Sequence, residues 1–289
     1  MQPTIRPMRT GDVEPASRAI LRDDWGDRRS WFDFVLAHET CHPIVADLDD
    51  RIVGTGVGVR SGRAGWIGTI WVTSDLRGHG IGRALTEAVI SGLFDAGVRT
   101  LLLVSTEAGR NLYERMGFEV QSWYQVLEAP GTTPEELPSS TPNPGPAAGV
   151  PGVRAFRRAD LAAMAKLDAA ATGEDRASIL RRFASAQTTR VVVNATGEVS
   201  GFVVRAPWGG GATIAPNVDD AIAILNARRA AAGPSGRVRV GLLRENEAGL
   251  ARLEAEGLRP IWSAPRMIRG EPLAWHPEWI WGQFNHAIG

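Results

Sequence analysis

Short apolar runs, some alternating with polar residues and some uniform, recur through the first 128 residues. Runs of this length and pattern are typical of β-strands, whose side chains alternate between two faces. The pattern predicts six strands, at residues 4–9, 44–48, 52–60, 65–73, 100–105 and 118–127.

Between these strands, apolar residues recur at helical spacing. The clearest case is the segment 81–96, with apolar side chains at positions 81, 85, 88, 89 and 93. Further helices are predicted to begin at Gly11-Asp12 and to cover residues 28–38 and 107–116, the last ending at Gly117. Two hairpin-like strands before a strand–loop–helix unit predict an α/β fold with a mixed, mostly antiparallel sheet flanked by helices.

Proline and small residues dominate residues 129–151, which are predicted to be an interdomain linker. The linker separates a first domain, residues 1–128, from a second, residues 152–289. A chain of 289 residues is long enough for two domains with a core each.

The two predicted domains share three ordered sequence matches. Thr4–Asp12 is answered by Gly152–Asp160 with Arg, Arg and Asp in register, and the strand pair at 44–59 is answered by residues 191–204. A helix–glycine–strand segment at 113–123 is answered at 253–262. These matches indicate a tandem duplication.

Charge and cysteine content narrow the function classes. Lys and Arg together number 32, as do Asp and Glu, so the net charge is +0 and gives no field for nucleic-acid binding. The single cysteine, Cys41, excludes an internal disulfide and a cysteine-based metal site. The sequence contains no run of about 18 uninterrupted apolar residues, so no membrane partner is predicted and a cytoplasmic location is expected.

The most informative segment is a glycine-spaced turn between a predicted strand and a predicted helix. Gly78, Gly80 and Gly82 allow the backbone to approach an anion, and the helix start presents free N–H groups and its positive dipole end. Arg77 and Arg83 add positive charge. The segment lacks the Gly-Lys-Ser/Thr of a Walker loop and the dinucleotide-binding spacing, and a pyrophosphate-bearing ligand is expected.

Arg77-Gly-His-Gly-Ile-Gly82 after a strand, together with Asn111-Leu-Tyr-Glu-Arg-Met-Gly-Phe118, resembles motifs A and B of the GCN5-related N-acetyltransferase (GNAT) family. The resemblance covers the first domain and suggests a tandem member with an active N-terminal and a degenerate C-terminal domain. In the second domain, the segment matching the loop contains Pro216 and Asp219-Asp220, which disfavour a bound pyrophosphate.

The resemblance implies acetyl-CoA as the cofactor. Its pantetheine arm would pair along Trp71, Val72 and Thr73, and Asn111 would contact that arm. Tyr113 would protonate the CoA thiolate, and a backbone N–H near Val72 would hold the developing oxyanion. The pyrophosphate would bind Arg77, Gly78, His79, Gly80, Ile81, Gly82 and Arg83.

The general base departs from the family pattern, because the strand at 65–73 carries no carboxylate. An ammonium group must lose a proton before it attacks a thioester, which requires a carboxylate, an imidazole or water nearby. The candidates for this base are Asp24, His38, Glu39 and His79. Of these, Glu39 is predicted to be the catalytic residue.

Candidate acceptor-binding residues come from both domains. The aromatic-rich segment 24–32 supplies Asp24, Trp25 and Trp31, which could hold a cationic or aromatic substrate or form an interface. In the second domain the candidates are Glu174, Asp175 and Arg176, with helix capping as the alternative role.

The segment His38-Glu-Thr-Cys-His42 matches the zinc motif H-E-x-x-H. Pro43 follows directly and pushes His42 out of helical geometry, so the two imidazoles are not expected to share a helix face. No metal site is predicted, and a zinc hydrolase is kept as a remote alternative.

These observations predict an N-acetyltransferase acting on a primary amine of a small molecule by direct attack. Neutral charge and a second domain that would narrow the cleft favour a small acceptor. A protein or peptide N-acetyltransferase and a non-catalytic acyl-CoA sensor remain open, as does the choice between monomer and homodimer.

Overall fold

The computed structural model describes residues 2–133 and 152–289. By internal contacts the chain falls into two units. Unit 1 contains Met1–Glu119 together with Met267–Pro272 and Asn285–Gly289, and unit 2 contains Val120–Arg266 and Leu273–Phe284. Each unit therefore combines segments that are distant in sequence, whereas the predicted boundaries at 128 and 152 follow chain order.

Five strands of unit 1 lie side by side in chain order. The first four pair antiparallel and the fourth pairs parallel with the fifth, which confirms the predicted mixed sheet. The strands are β1 (Thr4–Pro7), β2 (Cys41–Leu48), β3 (Arg51–Ser61), β4 (Ala64–Val72) and β5 (Thr100–Val104). Near β5, the Thr100 hydroxyl donates to the Glu271 carbonyl at 2.7 Å, which joins segment 267–272 to this unit.

Four helices complete unit 1, and each bound that was predicted lies within about two residues of the observed one. They are α1 (Val13–Arg22), preceded by a 3-10 turn over Thr10–Asp12, then α2 (Arg29–Ala37), α3 (Ile81–Asp95) and α4 (Glu107–Arg115). The Thr106 hydroxyl accepts a hydrogen bond from Gly109 N–H and so caps α4.

Alternate glycines on β3 allow α3 to pack closely on one face of the sheet. A Cβ on Gly54 would lie 2.8 Å from Leu85 Cδ1, and one on Gly58 would lie 3.1 Å from Val89 Cγ1. Side chains larger than hydrogen at these positions would push α3 away from the sheet. Helix α3, which follows the glycine-spaced turn, is therefore held at a fixed height over β3.

Unit 2 contains a five-stranded sheet in the order β7-β8-β9-β10-β13 and the antiparallel pair β6–β11. Its strands are β6 (Glu119–Pro130), β7 (Val153–Ala155), β8 (Thr189–Val193), β9 (Val199–Arg205), β10 (Gly211–Ile214), β11 (Arg237–Leu243), β12 (Arg259–Gly270) and β13 (Ile280–Gly282). The first residue of β6, Glu119, and the last residues of β12, from Met267 on, belong to unit 1. The helices of unit 2 are α5 (Leu161–Thr172), α6 (Ala177–Phe183), α7 (Val218–Ala232) and α8 (Glu247–Ala255).

The sequence repeat corresponds to one ion-pair motif built twice. Arg6 pairs with Asp12 at 2.7 Å, and Arg154 pairs with Asp160 at 2.7 Å. In each copy the aspartate also accepts a backbone N–H at 2.7 Å, from Arg9 in the first and from Arg157 in the second. The matched Arg, Arg and Asp thus connect the first strand to the first helix of both copies.

The predicted linker at 129–151 lies mostly outside the described residues. Strand β6 runs to Pro130, so its first two residues belong to a strand. In residues 2–133 and 152–289, no helix combines the length and apolar character needed to cross a bilayer.

Candidate active site

The glycine-spaced turn forms an open backbone cradle at the start of α3. Gly78 and Gly80 both have φ of +82°, and Gly80 is the residue that caps the helix. A Cβ at either glycine would meet no heavy atom within 4 Å, and no side chain caps α3. The first N–H groups of the helix are therefore left for a ligand, as an anion site requires.

The two arginines that were expected to add charge to this turn are both engaged by carboxylates. Arg77 Nη2 contacts Asp23 Oδ2 at 2.6 Å, and Arg83 Nε contacts Glu87 Oε1 at 2.8 Å. The exposed His79 turns back on the loop, with Nδ1 3.0 Å from the Arg77 carbonyl oxygen. These ion pairs reduce the positive potential that the two arginines add to that of the backbone N–H groups and the helix dipole.

Strands β4 and β5 separate next to this turn. Their pairing runs from Ala64–Thr100 to Trp66–Leu102, while β4 continues to Val72. Thr73 N–H donates to the Val53 carbonyl of β3 at 2.9 Å. Because backbone groups alternate sides along a strand, Val72 N–H points away from β3 and into the gap beside β5.

A bulge in β4 lies three residues before Val72. Between its pairs Gly68–Val57 and Trp71–Thr55, β4 has one residue more than β3. Thr69 in the bulge has φ of +54°, a strained value for a β-branched residue. Trp31 Nε1 donates to Thr69 Oγ1 at 2.9 Å, and the Thr55 hydroxyl donates to the Thr69 carbonyl at 2.8 Å. These two bonds hold the strained backbone in place.

Asp23 ties the end of α1 to the end of β4. Its Oδ2 accepts from Trp71 Nε1 at 3.1 Å and from Arg77 Nη2 at 2.6 Å. The Trp71 side chain is fully buried, so this carboxylate fixes the strand segment that precedes the glycine-spaced turn. Asp24 follows with φ of +61° and is exposed, and Trp25 is half-buried beside it.

Helix α4 carries Tyr113 and Asn111. The Tyr113 ring packs edge-on against Phe118, with centroids 6.0 Å apart, and burial raises its pKa to about 12. Its hydroxyl makes no hydrogen bond to any described residue, and it keeps its proton at neutral pH. Asn111 is exposed on the same helix.

Glu39 lies at the end of β2 that is remote from Val72. It is an exposed turn residue before Cys41, and Cys41 pairs with Val59, which pairs with Trp66. Val72 lies six positions after Trp66 on β4, which corresponds to about 20 Å. This position argues against proton transfer by Glu39 at the end of β4.

The H-E-x-x-H residues do not form a zinc motif. His38 caps the end of α2 in an extended conformation, and His42 lies on β2. The helical face that the motif needs is therefore missing, as Pro43 indicated. Across the part of the chain that the structure describes, no group of three His, Cys, Asp or Glu residues could hold a metal ion.

Residues 10–118 match the family model described as the acetyltransferase (GNAT) family, and residues 164–282 match a second model described as an acetyltransferase (GNAT) domain. The chain belongs to the GNAT family. It is thus a tandem GNAT protein and an acyl-CoA-dependent N-acetyltransferase. A search of curated proteins found no match.

Solved structures share the GNAT fold over nearly the whole chain. A candidate acetyltransferase from Pyrococcus horikoshii has 20% identity and a TM-score of 0.80, covering 99% of this chain and 95% of that one. A tandem GNAT protein from the clavulanic acid biosynthesis pathway has 16% identity and a TM-score of 0.61, covering 93% and 99%. A GCN5-related N-acetyltransferase from Sphaerobacter thermophilus has 15% identity and a TM-score of 0.59, covering 94% and 98%. At these identities the likeness shows the fold.

The second GNAT copy lacks the open cradle. Asn217 caps α7, and its side-chain oxygen accepts from the N–H groups of Asp219 and Asp220. The sheet edge at β10 is paired with β13, and Trp281 Nε1 donates to the Ala215 carbonyl at 3.0 Å. The helix start and the strand edge are thus both satisfied by the protein itself.

The candidate substrate residues of the second copy are mostly inside unit 2. Arg176 is 2% exposed and binds Asp168 through two nitrogens, at 2.6 and 3.0 Å. Burial opposes its charge, but Asp168 outweighs that cost and raises the pKa of Arg176 above its ordinary value. Glu174 is also buried, and the exposed Asp175 accepts from Ala177 N–H at the start of α6. A substrate contact by Glu174 or Arg176 would need this core to open.

Sequence reasoning missed Asp23 and Thr69, which organise the GNAT site. Asp23 is one of two adjacent aspartates after a helix, and nothing in that pattern predicts bonds to Trp71 and Arg77. For Thr69 the one available signal was Gly68, because a glycine inside a strand often marks a bulge.

Proposed function

We propose that this GNAT protein transfers the acetyl group of acetyl-CoA to a primary amine of a small molecule. The observation that carries the proposal is the open cradle at Gly78 and Gly80 beside the gap between β4 and β5. In this proposal unit 1 binds the cofactor, and the second GNAT copy binds none.

Acetyl-CoA fits the residues of unit 1. Two left-handed glycines with free space above them admit a pyrophosphate, and the uncapped start of α3 offers N–H donors to it. When bound, acetyl-CoA supplies an acyl group activated as a thioester. Residues that would hold it are Trp71, Val72, Thr73, Arg77, Gly78, His79, Gly80, Ile81, Gly82, Arg83 and Asn111.

Two groups serve the transfer step in this proposal. Val72 N–H faces the gap and can donate a hydrogen bond to an acyl oxygen there. Tyr113 retains its proton because burial raises its pKa to about 12, and its hydroxyl is available to protonate a thiolate.

The acceptor must attack as a neutral amine. His38 bonds to Thr40 and His79 to its own loop, while Glu39 lies far from Val72. Of the four candidates, Asp24 adjoins a residue bonded to the end of β4. We therefore place Asp24 and Trp25 on the acceptor side, whereas Trp31 is 2% exposed and packs behind them. In this proposal the amine loses its proton to water.

A transfer assay tests this proposal. Free thiol released from acetyl-CoA would be followed with amino acids, amino sugars, polyamines and peptides as acceptors, with Gly80→Glu as the inactive control. Release with small amines supports the proposal. Release with peptides alone would indicate a protein N-acetyltransferase, and binding without release would indicate a sensor.

A further inference from the structure

Arg28, at the start of α2, is a half-buried cation whose burial lowers its pKa more than the nearby Asp27 carboxylate raises it. Its guanidinium makes no hydrogen bond or ion pair with the described residues, whereas neighbouring Arg29 pairs with Glu14. The adjacent Asp27 carboxylate instead accepts the Arg29 N–H at 2.8 Å. A partly desolvated guanidinium is costly unless an anion approaches it.

Arg28 lies on the acceptor side of β4. Arg28 is the N-cap residue of α2, and its carbonyl accepts the Phe32 N–H at 2.9 Å, so its backbone lies one helical turn, about 5 Å along the axis, from Trp31. Trp31 bonds to Thr69 in the bulge of β4. Thr69 in turn is three residues from Val72, at most about 10 Å along the strand. A small molecule can therefore span the distance from Arg28 to the acyl-transfer position.

Segment 285–289 lies against the bulge of β4 and near Arg28. Ala287 packs on the bulge, since a Cβ on Gly68 would lie 2.2 Å from Ala287 Cβ. The adjacent His286 faces Arg28, and burial together with that charge lowers the pKa of His286 to about 4. At neutral pH the imidazole is uncharged. It therefore does nothing to offset the charge of Arg28, which Asp27 offsets only in part.

We infer that Arg28 binds an anionic group of the acceptor, so that the acceptor is an amine that also carries a carboxylate or a phosphate. The planar guanidinium can bind either group through two parallel hydrogen bonds. The inference rests on the proposed function and names the substrate class of that site.

Matched pairs of acceptors test this inference. Wild-type protein would be assayed with amino acids against their amides, and with aminoalkyl phosphates against the corresponding amino alcohols. Arg28→Gln removes the charge, and Arg28→Lys keeps the charge but cannot form two parallel hydrogen bonds to one anion. Arg29→Gln is the control, because Arg29 is the next residue and is exposed. Calorimetric binding of the same compounds in the presence of CoA gives a readout independent of turnover.

We expect wild type to prefer the anionic member of at least one series. Arg28→Gln should lower kcat/KM for that member about 10- to 100-fold and leave its neutral partner nearly unchanged. Arg28→Lys should recover part of the loss, and Arg29→Gln should behave as wild type. The favoured series identifies the anion as carboxylate or phosphate.

Equal use of anionic and neutral amines, or an unchanged preference in Arg28→Gln, would overturn the inference while leaving the proposed function intact. Failure of every anionic compound to bind would overturn it as well. Acyl-CoA binding without transfer to any amine would instead contradict the proposed function, and the calorimetric arm would still decide whether Arg28 binds anions.

Discussion

Replacing Tyr113 by phenylalanine removes a hydroxyl and keeps the ring that packs against Phe118. The variant should therefore fold normally and lose the proton donor. We expect kcat to fall about 100-fold or more, as for loss of a general acid, with acetyl-CoA affinity nearly unchanged.

The control is Tyr124→Phe, because Tyr124 is the other tyrosine of the chain and its hydroxyl bonds to Arg266 in unit 2. With a pKa of about 12, Tyr113 should also cause no loss of activity on the alkaline side below about pH 11. An unchanged kcat in Tyr113→Phe would remove Tyr113 from the mechanism.

His286 should make stability depend on pH. Its pKa is lowered from 6.5 to about 4 in the folded protein, so the unfolded chain binds more protons between these values. The contribution is fully present above pH 6.5 and is lost as pH falls toward 4, with a size of up to about 3 kcal/mol.

Denaturant unfolding at a series of pH values measures this contribution. His286→Gln should lose stability less steeply than wild type between pH 6.5 and 4, while the exposed His276→Gln should follow wild type. If the free energy of unfolding changed equally with pH in wild type and His286→Gln, the pKa of His286 would not be lowered in the folded protein.

At the scale of single elements, the binding role of the turn before α3 can be distinguished from the loss of stability that follows when any left-handed glycine is replaced. Gly80 and Gly197 share a φ near +80° and open space around a would-be Cβ, but Gly197 lies in a turn of unit 2. Alanine at either position should cost about 1 kcal/mol or more of stability through backbone strain.

Only Gly80→Ala should also weaken acetyl-CoA binding, because Gly80 shapes the cradle. Thermal unfolding and titration of both variants test this expectation. Equal cofactor affinity in the two variants would mean that the turn is not the pyrophosphate site.

The elements themselves were largely predictable. Hydrophobic periodicity and helix-boundary residues located the helices and strands between residues 4 and 127 within a few residues, because each element buries one regular face. Glycine spacing before α3 located the cradle for a similar reason, since Gly78 and Gly80 adopt a backbone conformation that other residues avoid.

Contacts between distant residues were not predictable. Asp23 with Trp71, Trp31 with Thr69, and Ala287 against Gly68 depend on tertiary approach that no local pattern encodes. The same limit applies to charge. Arg77 and Arg83 were expected to add positive charge at the turn, and no local pattern indicated that each would pair with a carboxylate, Asp23 and Glu87 respectively.

For the whole molecule, two GNAT copies need not mean two cofactor sites. The first copy leaves its helix start uncapped and its strand gap open, whereas the second fills the corresponding positions with Asn217 and β13. Acidic residues Asp219 and Asp220 in the first turn of α7 also repel a pyrophosphate. We therefore predict one acetyl-CoA per chain.

Calorimetric titration of the protein with acetyl-CoA tests this claim most directly, with Gly80→Glu and Gly197→Glu as paired variants. We predict a stoichiometry of about one per chain for wild type and Gly197→Glu, and loss of binding in Gly80→Glu, where a carboxylate would occupy the cradle. Two sites per chain, or unchanged affinity in a folded Gly80→Glu protein, would contradict the assignment of the cofactor to the turn before α3.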